Sequence, residues 1–381
     1  MRLEECKVYS GGQERGDIPD LGKEERGEQG LLQTRLLEEP GHGECFLRLL
    51  RVPVGQGTTT LKKVRASLGT AIELGLIEGL QKEAPTTAYL FVISRGCRGK
   101  CAFCPQSTGL SENISRVSWP EFPVEDVLRA LGGNRRFERV CIQCADEDGL
   151  ALRIRNFVEV LRESGSMPIS VSMPPASSED LRMLKGAGVD VLTIPLDCAD
   201  EELFRRIKGR DWRGHWRALE RALEVFGPKR VGTHIIVGLG EKERDVVNVV
   251  SKCHRAGIVP SLFAFTPIKG TPLEGRPQPD LGSYRRLQLA RELIATGRAT
   301  EKDFLYDGLG RINKIKVSRD AVEEIVEKGE AFMTRGCPGC NRPYFNEKVT
   351  GPVYNYPRRL DRKEVEEIRR ELLGGIEGLK V

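Results

Sequence analysis

The sequence predicts an α/β fold: a partial or complete (β/α) barrel with extensions at both termini. Two observations carry this. Apolar strand-like runs alternate with amphipathic stretches at helical spacing from residue 64 onward. That alternation means parallel βα units joined by right-handed crossovers. A glycine-rich dinucleotide turn is missing after the first strand and a cysteine cluster stands there instead, which favours a barrel over an open doubly wound sheet.

The 381 residues suffice for one barrel-sized domain or two ordinary ones. Long apolar-periodic stretches argue against disorder throughout, and no apolar run reaches the roughly 18 to 20 residues of a membrane span. The start, MRLEECKVYSGG, lacks a basic-then-apolar leader pattern, so a cytoplasmic protein is expected. Eleven cysteines in a reducing compartment point to metal or cluster ligands plus a few buried thiols.

In chain order, residues 1–63 read as a flexible or accessory segment. Residues 1–44 are glycine-rich and hold eleven acids against six bases, leaving +10 for the remainder of a +5 chain. ASLGTAIELGLIEGL then has helical spacing, with Leu68, Ile72 and Leu76 on one face. Strands are expected in AYLFVIS (ending at 94), 138–144, 168–174, 190–197, 230–240 and 259–267. Between them lie helical patterns such as VEDVLRALGG, RIRNFVEVLRESG, SEDLRMLKGAG, HWRALERALEVFG and ERDVVNVVSKCHRAG. The barrel is expected over 64–300, with 282–336 adding one or two further units and 301–381 forming a C-terminal extension. DRKEVEEIRRELLGG reads as an exposed final helix closed by Gly374 and Gly375.

The loop SRGCRGKCAFCPQSTG sets Cys97, Cys101 and Cys104 in a Cys-x3-Cys-x2-Cys array. Thiolates are the soft ligands that iron–sulfur clusters take, and three of them leave one iron of a four-iron cube open to a small molecule. A structural zinc site closes with four ligands, and no fourth lies nearby. Two pairs remain, Cys141/Cys144 and Cys337/Cys340. On its strand Cys141 should face the barrel interior, because Val140 and Ile142 should face the helices; Cys144 has the opposite parity. These thiols fit a second iron–sulfur cluster, a zinc staple or unrelated buried sulfur.

With Phe103 just before Cys104, the loop resembles the signature of the radical S-adenosylmethionine (radical SAM) superfamily, over roughly residues 65–300. The resemblance implies a TIM-like barrel of that type and a [4Fe-4S] cluster on Cys97, Cys101 and Cys104. It also implies S-adenosyl-L-methionine on the open iron, cleaved reductively to a 5′-deoxyadenosyl radical, and an external electron donor. HIIVGLGEKERD resembles the family's Gly-x-Gly-Glu stretch near the adenosine, which assigns Gly238, Gly240 and Glu241 to cofactor binding. Phe103 and Asp197, the latter at the end of the fourth strand, join them as expected cofactor contacts. FAFTPIKGTPLEG resembles the sixth-strand segment of biotin synthase, where backbone meets adenine.

Within the superfamily the barrel resembles biotin synthase in RVCIQ, HIIVGLGE and IKGTPL. It departs where ISVSMP lacks a cysteine and Gly232 stands in place of another, both ligands of that enzyme's second cluster. The tail RGCPGCNRPYFNEKVTGPVYNYPR, and VRASLGTAIELGLI ahead of the cluster, resemble two-component lipoyl synthases. That resemblance implies sulfur insertion into an octanoyl chain on a lipoyl-carrier protein, with a second homologous radical SAM protein as partner. A second [4Fe-4S] auxiliary cluster on Cys337, Cys340, Cys141 and Cys144 would donate sulfide. The N-terminal Cys-x4-Cys-x5-Cys array and Arg-Ser-Ser-Tyr ending of single-chain lipoyl synthases are absent; Cys6 and Cys45 do not replace the array.

Other residues read more plainly. Cys198 is a buried thiol or a minor cofactor contact; Cys253 and His254 belong to a helix; His215 marks a helix start; His234 could face the lumen. Arg342, Tyr344, Asn346, Tyr354 and Tyr356 orient substrate or brace the tail. The basic body suits an acidic carrier domain or is a solvated face. No RNA platform of interleaved aromatic and basic residues is present, so no nucleic acid is expected. The competing readings are a biotin-synthase-like enzyme on a free small molecule and a non-enzymatic iron–sulfur protein.

Overall fold

The structure, a computed structural model, describes residues 32–37, 46–51, 61–92, 96–109 and 113–373. Cys6, Cys45, Gly374, Gly375 and most of the glycine-rich arm lie outside the described residues. The chain divides into two units, Met1–Thr59 and Thr60–Val381. Within the first, β1 (Leu32–Leu37) and β2 (Phe46–Arg51) pair antiparallel.

The second unit opens with β3 (Lys63–Ala66) and α1 (Leu68–Glu73), followed by β4 (Thr87–Val92), β5 (Glu121–Pro123) and α2 (Val124–Gly133). Regular βα units follow: β6 (Arg139–Cys144), α3 (Leu150–Ser164), β7 (Ile169–Ser172), α4 (Ser178–Ala187) and β8 (Val189–Thr193). Two helices, α5 (Glu201–Lys208) and α6 (Trp212–Phe226), lead to β9 (Val231–Val237), α7 (Glu243–Ala256) and β10 (Val259–Ala264). Beyond them lie α8 (Leu281–Ala295), β11 (Phe304–Tyr306), β12 (Ile312–Ile315), α9 (Arg319–Lys328) and α10 (Arg362–Leu373).

The sheet has eight strands in the order β10-β9-β8-β7-β6-β4-β3-β5. β4 and β6 to β10 are mutually parallel, whereas β3 pairs antiparallel with both β4 and β5. It is a partial TIM-like barrel, with the six expected strands in the expected order. Helix starts follow from capping side chains: Ser177, Asp200 and Asp211 each accept backbone N–H groups at the head of α4, α5 and α6. Left-handed glycines, Gly188, Gly209 and Gly257, stop α4, α5 and α7.

All six residues of β4 are buried because both faces of the sheet are covered. Ala88, Leu90 and Val92 join the main core under the helices, while Tyr89 and Phe91 turn the other way into a second cluster with Trp119, Cys141 and Ala145. The pleat splits β6 likewise: Val140 and Ile142 pack outward and Cys141 inward.

Three expectations are corrected. Residues 282–336 add no parallel unit: β11 and β12 pair only with each other, antiparallel, between α8 and α9. The final helix is not simply exposed, for Val365, Ile368 and Leu372 form a buried stripe. Helix α1 stops at Glu73 and leaves Leu68 40% exposed, burying Thr70 and Ala71 instead. The tail is held by buried Arg285, whose guanidinium donates to Glu371 Oε2 (2.8 Å) and to the carbonyls of Val353 (2.6 Å) and Tyr354 (2.7 Å).

Candidate cluster and cofactor site

The three-cysteine loop leaves the C-terminal end of β4, where a barrel presents its chemistry. It is pinned by its own backbone: Ala102 N–H donates to Ile207 O at the end of α5 (2.8 Å). The Ser107 hydroxyl reaches the carbonyls of Cys101 and Cys104, both at 2.7 Å. A Cβ on Gly99 would stand 3.2 Å from Cys97 Sγ, 3.9 Å from Cys101 Sγ and 3.5 Å from Arg210 Nη2. Glycine thus keeps open a hollow that two sulfurs face, and Cys104 feels the charge of both. Burial pushes the Cys101 thiol up and that of Cys104 up to about 12. Arg210 and Arg98 both pair with Asp146, whose backbone N–H points at Cys97 Sγ (3.4 Å).

The second thiol set lies toward the other end of the barrel. Cys141 is flanked in register by Tyr89 and Ser170. Cys337 and Cys340 sit on a turn closed by Cys340 N–H to Cys337 O (3.0 Å). That turn is fastened near the strand N-termini, where Thr86 N–H donates to Asn341 Oδ1 (3.0 Å) and Arg139 Nε to Pro338 O (3.1 Å). Arg139 is itself clamped on Asp190 at 2.7 and 3.0 Å. Cys141 interacts electrostatically with both Cys337 and Cys340, and burial pushes it up to about 12. Tyr89 Oη lies 3.4 Å from Cys340 Sγ and accepts the Arg342 N–H at 2.8 Å.

Cys144 is not brought to this group. Its side chain packs on the main core, with Cys141, Glu147 and Arg153 as its electrostatic neighbours. The pleat is the reason: Cys144 is three residues from Cys141 and so faces the other way.

One cavity of about 300 Å³ touches both thiol sets. Its wall between them is largely apolar, with Phe91, Trp119, Ile236, Phe263 and Phe265 among the lining residues. Phe103, Asp197, His234 and Asn346 also line it. Asp197 holds a positive φ of 66°, and its Oδ2 accepts from Lys208 Nζ at 2.6 Å. His234 lies tilted against Phe263 (4.5 Å between centroids, 50° between planes), and the Arg342 guanidinium covers the same ring at 3.7 Å. Tyr354 and Tyr356 instead meet Arg285 and brace the tail.

The glycines of the β9–α7 turn have protein neighbours. Gly238 has φ 107°, and a Cβ there would stand 3.0 Å from Pro279 Cδ and 3.1 Å from Phe265 Cβ. A Cβ on Gly240 would meet Arg276 Nη2 at 3.2 Å. The Glu241 carboxylate turns back to accept the N–H groups of Gly238 (2.6 Å) and Leu239 (2.9 Å). The expected adenosine contacts therefore first serve to hold this turn. Gly238→Ala is expected to cost about 1–3 kcal/mol from backbone strain, read as a lower urea midpoint with unchanged slope.

Burial and nearby Lys208 push His215 down to about 3, and its Nε2 lies 2.9 Å from Pro195 O. Between that value and the ordinary 6.5 the unfolded chain binds more protons than the folded one. Stability is expected to fall as pH drops below about 6.5. Comparing urea midpoints at pH 5 and pH 7.5, His215→Gln should show a smaller pH-dependent loss than the parent.

Among the described residues, no three His, Cys, Asp or Glu side chains close on a single ion. A cluster asks less, because it spreads its thiolates over separate irons, and the three loop thiols are the soft donors such a group takes. Residues 91–253 match the family model described as the radical SAM superfamily. Over that stretch the chain is similar to radical SAM proteins. That similarity implies a [4Fe-4S] cluster and S-adenosyl-L-methionine, with Cys97, Cys101 and Cys104 as the residues that would hold the cluster.

The chain is 27% identical over 194 residues to the biotin synthase of Persephonella marina, covering 48% of this chain and 55% of that protein. It is 26% identical over 246 residues to the biotin synthase of Bordetella petrii, covering 58% and 68%. The chain thus spans only about half the length of the first of these relatives. A solved methylornithine synthase aligns at TM-score 0.45 and 17% identity, over 74% of this chain and 80% of that one. A hydrogenase maturase from Carboxydothermus hydrogenoformans aligns at 0.43 and 15%, over 75% and 66%. Among the described residues no helix is long and apolar enough to cross a membrane.

The radical SAM sequence motif left several site residues unmarked. Lys208, Arg210 and Asp146 are charges on loops and helix ends that only the fold gathers. Ser170 did carry a signal, since a serine at alternate positions of the buried strand β7 must face the lumen.

Proposed function

We propose that this chain is a radical SAM protein that inserts sulfur into an unactivated alkyl chain, drawing sulfide from an auxiliary iron–sulfur cluster on Cys141, Cys337 and Cys340. The observation that supports it is one apolar cavity with a thiol set toward each end. When bound, the first cluster and S-adenosyl-L-methionine supply a radical able to take hydrogen from a C–H bond. The chain's own residues do the rest. Phe91, Trp119 and Ile236 exclude water and hold an alkyl group between the two sets. Cys97, Cys101 and Cys104 leave one corner without a protein thiol. Tyr89 and Gln143, the latter donating to Cys141 Sγ at 3.0 Å, hold the second thiol set in place.

As substrate we propose an octanoyl chain on a lipoyl-carrier protein, with this chain as one component of a two-component lipoyl synthase. An external electron donor and a homologous radical SAM partner complete the system. Support comes from the tail that carries Cys337 and Cys340, from the lack of a cysteine in ISVSMP, and from Gly232 lining the cavity where the biotin-synthase pattern has a thiol. The net +10 outside residues 1–44 suits an acidic carrier. The curated relatives favour a second reading, sulfur insertion into a free small molecule of the dethiobiotin kind.

The test is anaerobic reconstitution with an octanoyl-lysine peptide, with and without the homologous partner, beside a parallel arm with dethiobiotin. The expected result is thiolated peptide, with iron falling from about eight toward about four per chain. Product in the dethiobiotin arm alone selects the second reading. Thiolation of neither, at constant iron, overturns both.

A further inference from the structure

Six charged side chains line the cavity: Asp146, Asp197, Lys208, Arg210, Lys229 and Arg342. Four of them are matched in pairs, Lys208 on Asp197 at 2.6 Å and Arg210 on Asp146. Lys229 is exposed, so water and salt screen it. Arg342 is left, and among the described residues it forms no ion pair. Its Nη2 donates to Arg335 O at 3.0 Å, and its Nε is buried without a partner. Glu347 feels the Arg342 charge, but its oxygens are taken. Oε1 accepts from the Asn355 N–H (2.9 Å) and Nδ2 (3.3 Å), and Oε2 from the Asn346 N–H (3.1 Å).

The guanidinium is set in place from both ends. Arg342 follows the Cys337–Cys340 turn by two residues and holds a positive φ of 35°, a conformation that only fixed surroundings maintain. Its backbone N–H is tied to Tyr89 Oη on β4 (2.8 Å), while the guanidinium lies over the Phe263 ring on β10 at 3.7 Å. β4 and β10 are the first and last strands of the parallel set, so the side chain reaches from one to the other. The ring face offsets part of the cost of placing a cation in an apolar wall, yet it takes none of the N–H donors. Those donors find their use when a ligand brings an acceptor into the cavity.

We infer that Arg342 receives the polar head of the acyl substrate, donating to the oxygen at the end of an alkyl chain that lies against Phe91 and Trp119. The inference rests on the reading of this cavity as an alkyl site and adds what recognises the chain's end. A guanidinium has only donors to give, and a carbonyl or carboxylate oxygen is the acceptor that matches it. A free acid would offer two such oxygens and a lysine amide one, so the same residue serves either kind of substrate. An alkyl chain with no acyl oxygen would leave the cation unmatched, which makes Arg342 a specificity-determining residue.

The experiment uses the full chain, reconstituted anaerobically, with S-adenosyl-L-methionine present and no reductant. Octanoate, an octanoyl-lysine peptide and octan-1-ol are titrated calorimetrically into the parent, Arg342→Lys and Arg342→Gln. Iron content is brought to the same value in each, and thermal unfolding confirms that each folds. The parent should bind octanoate or the peptide about tenfold or more tighter than octan-1-ol, the scale of a hydrogen bond to a charged group. Arg342→Gln should lose that advantage and keep the octan-1-ol affinity, and Arg342→Lys should recover part of it. Preference for octanoate identifies a free acid as the ligand, and preference for the peptide identifies the amide.

If Arg342→Gln binds octanoate and the peptide as the parent does, or cannot be loaded with iron, the guanidinium serves the tail or the thiol set and the inference falls. Equal weakening of octan-1-ol and octanoate overturns it too, because the side chain then only shapes the wall. In each of these cases the alkyl site still stands. A parent that binds none of the three overturns the alkyl site itself, and the inference with it.

Discussion

Cys101→Ala should lower 5′-deoxyadenosine formation from S-adenosyl-L-methionine by at least about 10³-fold, the scale on which removing one member of a cooperating unit is felt. The two remaining loop sulfurs cannot hold a cluster whose open corner depends on the other three being fixed. Cys101 is the middle ligand, with its sulfur across the Gly99 hollow from that of Cys97 and its charge felt by Cys104. Iron content should drop by about four per chain. The barrel should stay folded, because the loop is held by backbone groups that alanine keeps, Ala102 N–H to Ile207 O and Cys104 N–H to Cys101 O. Cys101→Ser should recover little, since a hydroxyl is a poor substitute for a soft thiolate. Unimpaired cofactor cleavage by Cys101→Ala, measured by chromatography under strong reductant, would remove the basis for the site.

Gly99→Val makes the same point without touching a ligand. Its side chain would fill the hollow between the two sulfurs and the Arg210 guanidinium. Cluster loading should fall with all three cysteines in place.

The elements read best from sequence were those whose signal is local. VEDVLRALGG matches α2 because a proline opens it and the pattern of Val124, Val127, Leu128 and Leu131 repeats at helical spacing. The six parallel strands were readable because apolar runs between amphipathic helices have few other solutions. The misreading of 282–336 had a visible remedy. Asp307-Gly308 between two short apolar runs is a hairpin signal, and β11 and β12 do pair across it. In α10 a heavy load of charge hid Val365, Ile368 and Leu372, which share one face.

The site divides in the same way. Cys97, Cys101 and Cys104 are close in sequence, so their spacing announces them. Cys337 and Cys340 meet Cys141 only through the closure of the tail on Arg139 and Thr86, contacts across 199 and 255 residues that spacing cannot reveal. Strand parity did say which member of the Cys141/Cys144 pair faces inward. Barrel convention placed the chemistry at the strand C-termini, yet the second set stands toward their N-termini, where Thr86, Arg139 and Asp190 anchor its turn.

Cys340→Ala separates the two halves of the proposed chemistry. Sulfur transfer should vanish, with product down by about 10³-fold or more. Cofactor cleavage should stay within the roughly 0.3–0.5 kcal/mol scatter of independent sites, about a factor of two. The asymmetry follows from the contacts. Cys340 meets Cys141 and Tyr89, whereas the groups that tune Cys101 are Lys208, Asp197 and Arg210. Losing the sulfur frees Tyr89 Oη but leaves its bond from the Arg342 N–H, so the turn should hold its place. The readouts are 5′-deoxyadenosine and thiolated product from one reaction, with metal analysis of the protein beforehand. Uncoupled cofactor cleavage without product fits a sulfide donor at Cys340. If Cys340→Ala still thiolates substrate at the parent rate, or if the parent carries one zinc there, sulfur comes from elsewhere and the second thiol set is a staple for the tail.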